Sequence, residues 1–149
     1  MKSKVNEISI SYKERFGISD TPSINSSSEA AEILFVNWDK NSIELHESFK
    51  VLLLNNSNKV KGIYELSKGG ITGTLVDIRI LFATILKSLS VGIILAHNHP
   101  SGKLKASTAD IQLTKKIKEA AKFFDITVLD HLIIVPDGNY YSFADNHII

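Results

Sequence analysis

The sequence predicts an α/β domain in which helices pack on a mixed β-sheet. Three features carry that expectation. Residues 91–96 are continuously apolar over the length of a strand, which suits a central strand buried on both faces. Residues 49–54 form a second, largely apolar run, closed by the turn-forming Asn55-Asn56-Ser57-Asn58. Two stretches with helical spacing of apolar residues flank the central run. At 149 residues, the chain has the size of one domain with one core.

Taken in order, Val5, Ile8, Ile10 and Tyr12 suggest a short N-terminal strand. Asp20-Thr21-Pro22 reads as loop, and the serines Ser26-Ser27-Ser28 lead into a helix. Ser28 is its expected cap, with Glu29 in the first turn where a carboxylate suits the helix dipole. The run 49–54 and the return residues Val60, Gly62, Ile63 and Leu66 predict a hairpin. Gly69, Gly70 and Gly73 break the chain before a helix over residues 75–89, where Leu75, Ile78, Leu81, Phe82, Ile85 and Leu89 recur at helical spacing. Ser90-Val91-Gly92 ends it, and the central strand follows. A second helix is expected over residues 108–123 and one or two strands over 126–135. Pro136-Asp137-Gly138-Asn139 is a turn, and residues 140–143 make a last strand.

The absence of cysteine excludes disulfides, thiolate zinc sites, iron–sulfur clusters and cysteine nucleophiles together. Any metal must be held by imidazole and carboxylate. A formal net charge of +1 favours neither nucleic acid nor a membrane surface. Residues 1–15 lack the apolar core of a signal peptide, and the most apolar stretch, 80–96, is too short for a span and is interrupted by Lys87, Ser88 and Ser90. A cytoplasmic protein is expected.

The chemistry gathers where the central strand ends. His97 and His99 are two apart, so on an extended backbone both side chains leave one face. Two imidazoles so placed can meet one cation at about 2.0–2.1 Å each. Pro100 stops sheet pairing and Ser101-Gly102 permits a tight turn back. Ser107-x-x-Asp110 resembles a capping box, which puts Asp110 in the first turn of the next helix, facing the histidines. Two imidazoles and a carboxylate leave a fourth tetrahedral position for water, the arrangement of a catalytic zinc. Taken singly, the histidines suit a solvent-facing loop and Ser107 with Asp110 suits a plain cap; taken together they favour a metal site. The contiguous His97-Asn98-His99 is no nuclease signature, since that motif is dispersed over a hairpin and a helix. There is no His-Glu-x-x-His helix, and the zinc deaminase signature needs cysteines.

His97-x-His99, seven residues, then Ser107-x-x-Asp110 matches the JAMM motif of MPN-domain metalloproteases. With the string from Leu95 to Gly102 and the run Val128-Leu129-Asp130-His131-Leu132-Ile133-Ile134, the stretch from Glu47 to Phe143 resembles the RadC-like branch of the JAB/MPN superfamily. The resemblance implies a JAB/MPN, cytidine-deaminase-like architecture and a Zn2+ ion on His97, His99 and Asp110, with water in the fourth position. It implies an upstream glutamate as general acid/base, Ser107 as hydrogen-bond donor to the developing oxyanion, and a peptide or isopeptide amide as substrate. Glu47 stands where the family's glutamate stands, ahead of the first hairpin strand; Glu65 on the return strand is the alternative, and Glu44 lies further off. Asp130 and His131 read first as hydrogen-bonded core residues, next as partners orienting His97 or His99, and last as ligands. His46 and His147 have no supporting context.

Residues 1–46 are expected to form an extension packed on a RadC-like JAB/MPN domain of residues 47–149. Longer RadC-like proteins carry an N-terminal helical segment associated with helix-hairpin-helix DNA binding, and the 46 residues before Glu47 lack its Gly-rich hairpins. A DNA-repair or other nucleic-acid role therefore rests on Lys103, Lys105, Lys115, Lys118 and Lys122. Glu119 interrupts that stripe and no aromatic residue interleaves with it, so a solvated helix face explains it better. A non-catalytic scaffold is the third reading, and it has no need of three ligands plus Ser107. Nothing in the sequence sets the oligomeric state.

Overall fold

The computed structural model describes residues 4–69 and 75–149. Its order is α1 (Ser27–Val36), β1 (Ser48–Leu54), β2 (Val60–Lys68), α2 (Ile78–Lys87), β3 (Gly92–Asn98), α3 (Thr108–Lys122), β4 (Thr127–Ile134) and β5 (Tyr140–Ser142), with a short 3-10 turn at Ile18–Asp20 ahead of α1. The strands form one five-stranded sheet in the order β2-β1-β3-β4-β5. β3 pairs antiparallel with β1 and parallel with β4, so the sheet is mixed and α3 is the crossover between its parallel strands. The expected α/β class holds, and every residue of β3 is buried, as a central strand requires.

Alternation along the strands divides the core in two. Leu52, Leu54, Ile94, Ala96, Leu132 and Ile134 point to one face, where Ala30, Ala31 and Leu34 of α1 cover them together with Trp38 and Ile43. Phe49, Val51, Leu53, Ile93 and Leu95 point to the other, against Leu81, Phe82 and Ile85 of α2 and Ile117 and Ala121 of α3. The β3–β4 ladder shifts register between Ile93 and Ile94: Val128 lies opposite Ile93, Asp130 opposite Ile94, and Leu129 is left over as a bulge.

Several boundaries differ from the sequence reading, each for a local reason. α1 is capped by Ser26 rather than Ser28: its hydroxyl accepts the Glu29 N–H at 3.2 Å while the Glu29 carboxylate accepts the Asn25 N–H at 2.7 Å. Only Ser26 stands three residues before that glutamate. α2 begins later than expected because the Asp77 carboxylate accepts the N–H groups of Arg79 and Ile80, and it ends before Leu89, whose φ of +56° is left-handed. Val5, Ile8 and Ile10 form no strand and are 77–84% exposed. Alternation marks a segment as fit for a sheet but does not provide an edge to join. Gly70 and Gly73 lie outside the described residues, and among the described residues no helix is long and apolar enough to cross a membrane.

Candidate metal centre

The centre sits at the C-terminal end of β3, on the face covered by α2 and α3. His97 leaves the strand on the same side as Ile93 and Leu95, and His99 follows two residues on. The return to α3 is fixed by a complete capping box. The Ser107 hydroxyl accepts the Asp110 N–H at 3.0 Å, and Asp110 Oδ2 accepts the Ser107 N–H at 3.0 Å. The cap thereby aims the same carboxylate oxygen at the histidines: Oδ2 lies 3.3 Å from His97 Nε2 and 3.8 Å from His99 Nε2. The two Nε2 atoms are 3.0 Å apart. Two Zn–N bonds and a Zn–O bond of about 2.0 Å at tetrahedral angles would space the donor atoms about 3.3 Å apart. The cluster is therefore close to the size of a metal polyhedron, with its three donors within 4.8 Å of one another.

Hydrogen bonds behind the rings determine which nitrogen faces the centre. Thr114 is fully buried and its hydroxyl donates to the Asp110 carbonyl at 2.7 Å, so it can only accept from His131 Nδ1, 2.6 Å away. That leaves His131 Nε2 as an acceptor, and it lies 2.7 Å from His97 Nδ1. His97 must then donate from Nδ1 and turn the Nε2 lone pair to the centre. His99 Nδ1 donates to the Lys103 carbonyl at 2.7 Å, with the same result. Two lone pairs and a carboxylate oxygen converge, which is repulsive unless a proton or a cation lies between them.

The charge states agree. Burial raises the Asp110 carboxyl, but hydrogen bonding with His97, His99 and the Ser107 N–H, with the charge of His97, holds it well below the usual carboxylate range. Burial lowers His99, yet Asp110, the Lys103 carbonyl and the charge of Glu47 leave it raised overall. A cation bound between the three donors would relieve the same repulsion as a shared proton. His131 is held well below its usual value by burial first and by neighbouring His97 second, so it stays neutral. Its ring stacks on Phe143 at 4.4 Å and meets Phe49 edge-on at 5.4 Å, which locks its orientation.

Of the residues expected at the site, the fold brings together His97, His99, Asp110, Ser107 and Glu47, whose Oε1 lies 3.9 Å from His99 Nε2. Glu65 is exposed and pairs opposite Lys50 in the β1–β2 ladder, and Glu44 is exposed on the preceding turn. His131 lies directly behind His97, its Nε2 2.7 Å from His97 Nδ1. Asp130 does not: its side chain points to the α1 face, where it accepts from the Ser142 hydroxyl at 2.6 Å, the His131 N–H at 2.7 Å and the Ala144 N–H at 3.0 Å. Desolvation raises its pKa despite those three bonds. Thr114 was missed by the sequence reading, although a hydroxyl in the otherwise apolar stripe Thr114, Ile117, Ala121 of an amphipathic helix is a visible signal. Among the α3 lysines, Lys115 and Lys122 are exposed, and Lys122 Nζ lies 3.4 Å from Glu119 Oε1.

A mixed sheet with helices on both faces and an imidazole–carboxylate cluster at the end of its central strand defines the class, an α/β domain with a candidate metal centre. The model of the RadC-like JAB domain matches residues 24–148, and the chain belongs to that family. A UPF0758 protein of Flavobacterium johnsoniae is 56% identical over 103 residues, which are 69% of this chain and 44% of the relative. One of Porphyromonas gingivalis is 45% identical over 69% of this chain and 45% of its own length. A third, of Pelobacter propionicus, is 38% identical over 69% of this chain and 44% of its own length. The chain thus spans less than half the length of these curated relatives.

Proposed function

We propose that this chain is a zinc-dependent hydrolase of the JAMM type that cleaves a peptide or isopeptide amide. The observation that carries the reading is the convergence of the His97 and His99 Nε2 lone pairs and Asp110 Oδ2 on one point, each donor oriented by a hydrogen bond from behind. Two imidazoles, one carboxylate and near-tetrahedral spacing suit zinc. Zinc, when bound, lowers the pKa of a coordinated water to about 7 and polarises the carbonyl under attack. Glu47, whose Oε1 lies 3.9 Å from His99 Nε2, would take the proton from the attacking water and return it to the leaving amine. Ser107 uses its oxygen as an acceptor in the cap, so its own proton remains free to be donated to the developing oxyanion.

Elemental analysis of protein purified without added metal or an affinity tag is the direct test. Near-stoichiometric zinc is expected, lost in His97→Ala and in Asp110→Ala. Glu47→Gln is expected to keep the zinc and lose turnover of an amide library. Turnover retained in that variant would end the reading of Glu47 as the base, and wild-type protein that takes up no zinc would end the metal reading.

A further inference from the structure

Asn98 stands between two proposed ligands, yet alternation turns its side chain to the opposite face of β3. It is fully buried. Its Oδ1 accepts the Ser48 N–H at 2.7 Å, and its Nδ2 donates to the carbonyls of Ile43 at 2.8 Å and His46 at 3.0 Å. His46 and Ser48 are the immediate neighbours of Glu47. The carbonyl of Glu47 itself accepts the Gly69 N–H at 2.7 Å. The last backbone pair between β1 and β3 is Phe49 with His97, so the Asn98 amide continues the ladder by one step where the strands part. The three bonds need one acceptor and two donors on a short side chain, which a primary amide supplies and a carboxylate or hydroxyl does not.

We propose that Asn98 is a positioning residue, which registers the Glu47 carboxylate against the His97–His99–Asp110 cluster. The proposal rests on the reading of Glu47 as general acid/base. His97 and His99 are carried by the same strand segment as Asn98, so one amide ties the reference frame of the ligands to the backbone on both sides of Glu47. A misplacement of about 1 Å costs about a hundredfold in a proton-transfer geometry of this kind. Without the amide, three backbone groups, two of them buried, lose their partners and the turn before β1 is free to move, while every proposed ligand keeps its own contacts.

The test compares wild type, Glu47→Gln, Asn98→Ser, Asn98→Ala and the Asn98→Ser/Glu47→Gln pair. Cobalt(II) is the spectroscopic probe, read as the pH profile of its visible absorption, and zinc affinity is measured by chelator competition. Two Asn98 variants are carried so that a folding failure of one, seen by circular dichroism, leaves the other to be read. Both are expected to bind zinc as wild type does and to shift the midpoint of the cobalt profile as Glu47→Gln does, with no further shift in the pair. A shift in Glu47→Gln beside unshifted Asn98 variants would overturn the positioning role alone. Folded Asn98 variants that lose zinc would overturn it too, by making Asn98 a support of the ligand strand. An unshifted Glu47→Gln profile would instead end the reading of Glu47, and the proposal with it.

Discussion

At the scale of single residues, the His97–His99–Asp110 cluster is organised by groups that stand behind it. Thr114 closes a ring of contacts that runs from the Asp110 carbonyl through its hydroxyl and His131 to His97, so two proposed ligands on different elements share one buried relay. Replacing Thr114 by Val keeps the shape and removes the hydroxyl, leaving His131 Nδ1 without its partner and the His97 tautomer unfixed. Titration of the variant with zinc is expected to show affinity about 10–100-fold weaker than wild type. Thr114→Ser should restore most of it, and a Thr114→Val affinity equal to wild type would show that the relay orients nothing. Asp130 is the contrasting case. Its three donors all belong to β4 or the β5 end, so Asp130→Ala should cost roughly 2–5 kcal/mol in urea unfolding while zinc affinity stays unchanged.

At the scale of elements, the legible features were the local ones. The spacing of His97 and His99 on a strand, and of Ser107 and Asp110 at a helix start, are set by backbone repeats that a sequence displays directly. The hairpin of β1 and β2 and the extent of α3 were visible for the same reason. What stayed hidden depends on partners distant in sequence. The segment with Val5, Ile8 and Ile10 has strand composition without a strand to pair with, and Asn98 shows its purpose only when Ile43, His46 and Ser48 lie beside it. His131 and Asp130 are adjacent, and which of them meets His97 follows from sheet register, not from either residue's chemistry. The capping serine makes a sharper forecast: Ser26→Ala should cost about 1 kcal/mol in thermal or urea unfolding, whereas Ser28→Ala should cost clearly less.

At the scale of the whole molecule, the sheet is buried between unequal covers. α2 and α3 shield one face, and α1 with Trp38 and Ile43 is the cover of the apolar cluster on the other. A chain trimmed to residues 47–149 would expose Leu52, Leu54, Ile94, Ala96, Leu132 and Ile134, and is expected to aggregate or to bind a hydrophobic dye, while removal of residues 1–16 leaves both clusters intact. A monodisperse, cooperatively unfolding 47–149 fragment would show that α1 is dispensable. The two covers also give the leftover residue in β4 a meaning of its own. Strict alternation counted from Val128 would send Asp130 to the side of His97 and His131 into the apolar layer beneath α1. Leu129 acts as a one-letter frameshift in the spatial reading of the strand: every later residue swaps sides, and the centre receives a neutral ring in place of an anion. A carboxylate behind His97 would make that ligand a stronger base and add a negative charge to the cluster. That one extra residue decides which of two neighbouring side chains stands behind His97, and deleting Leu129 would heal the bulge and leave both on their present sides.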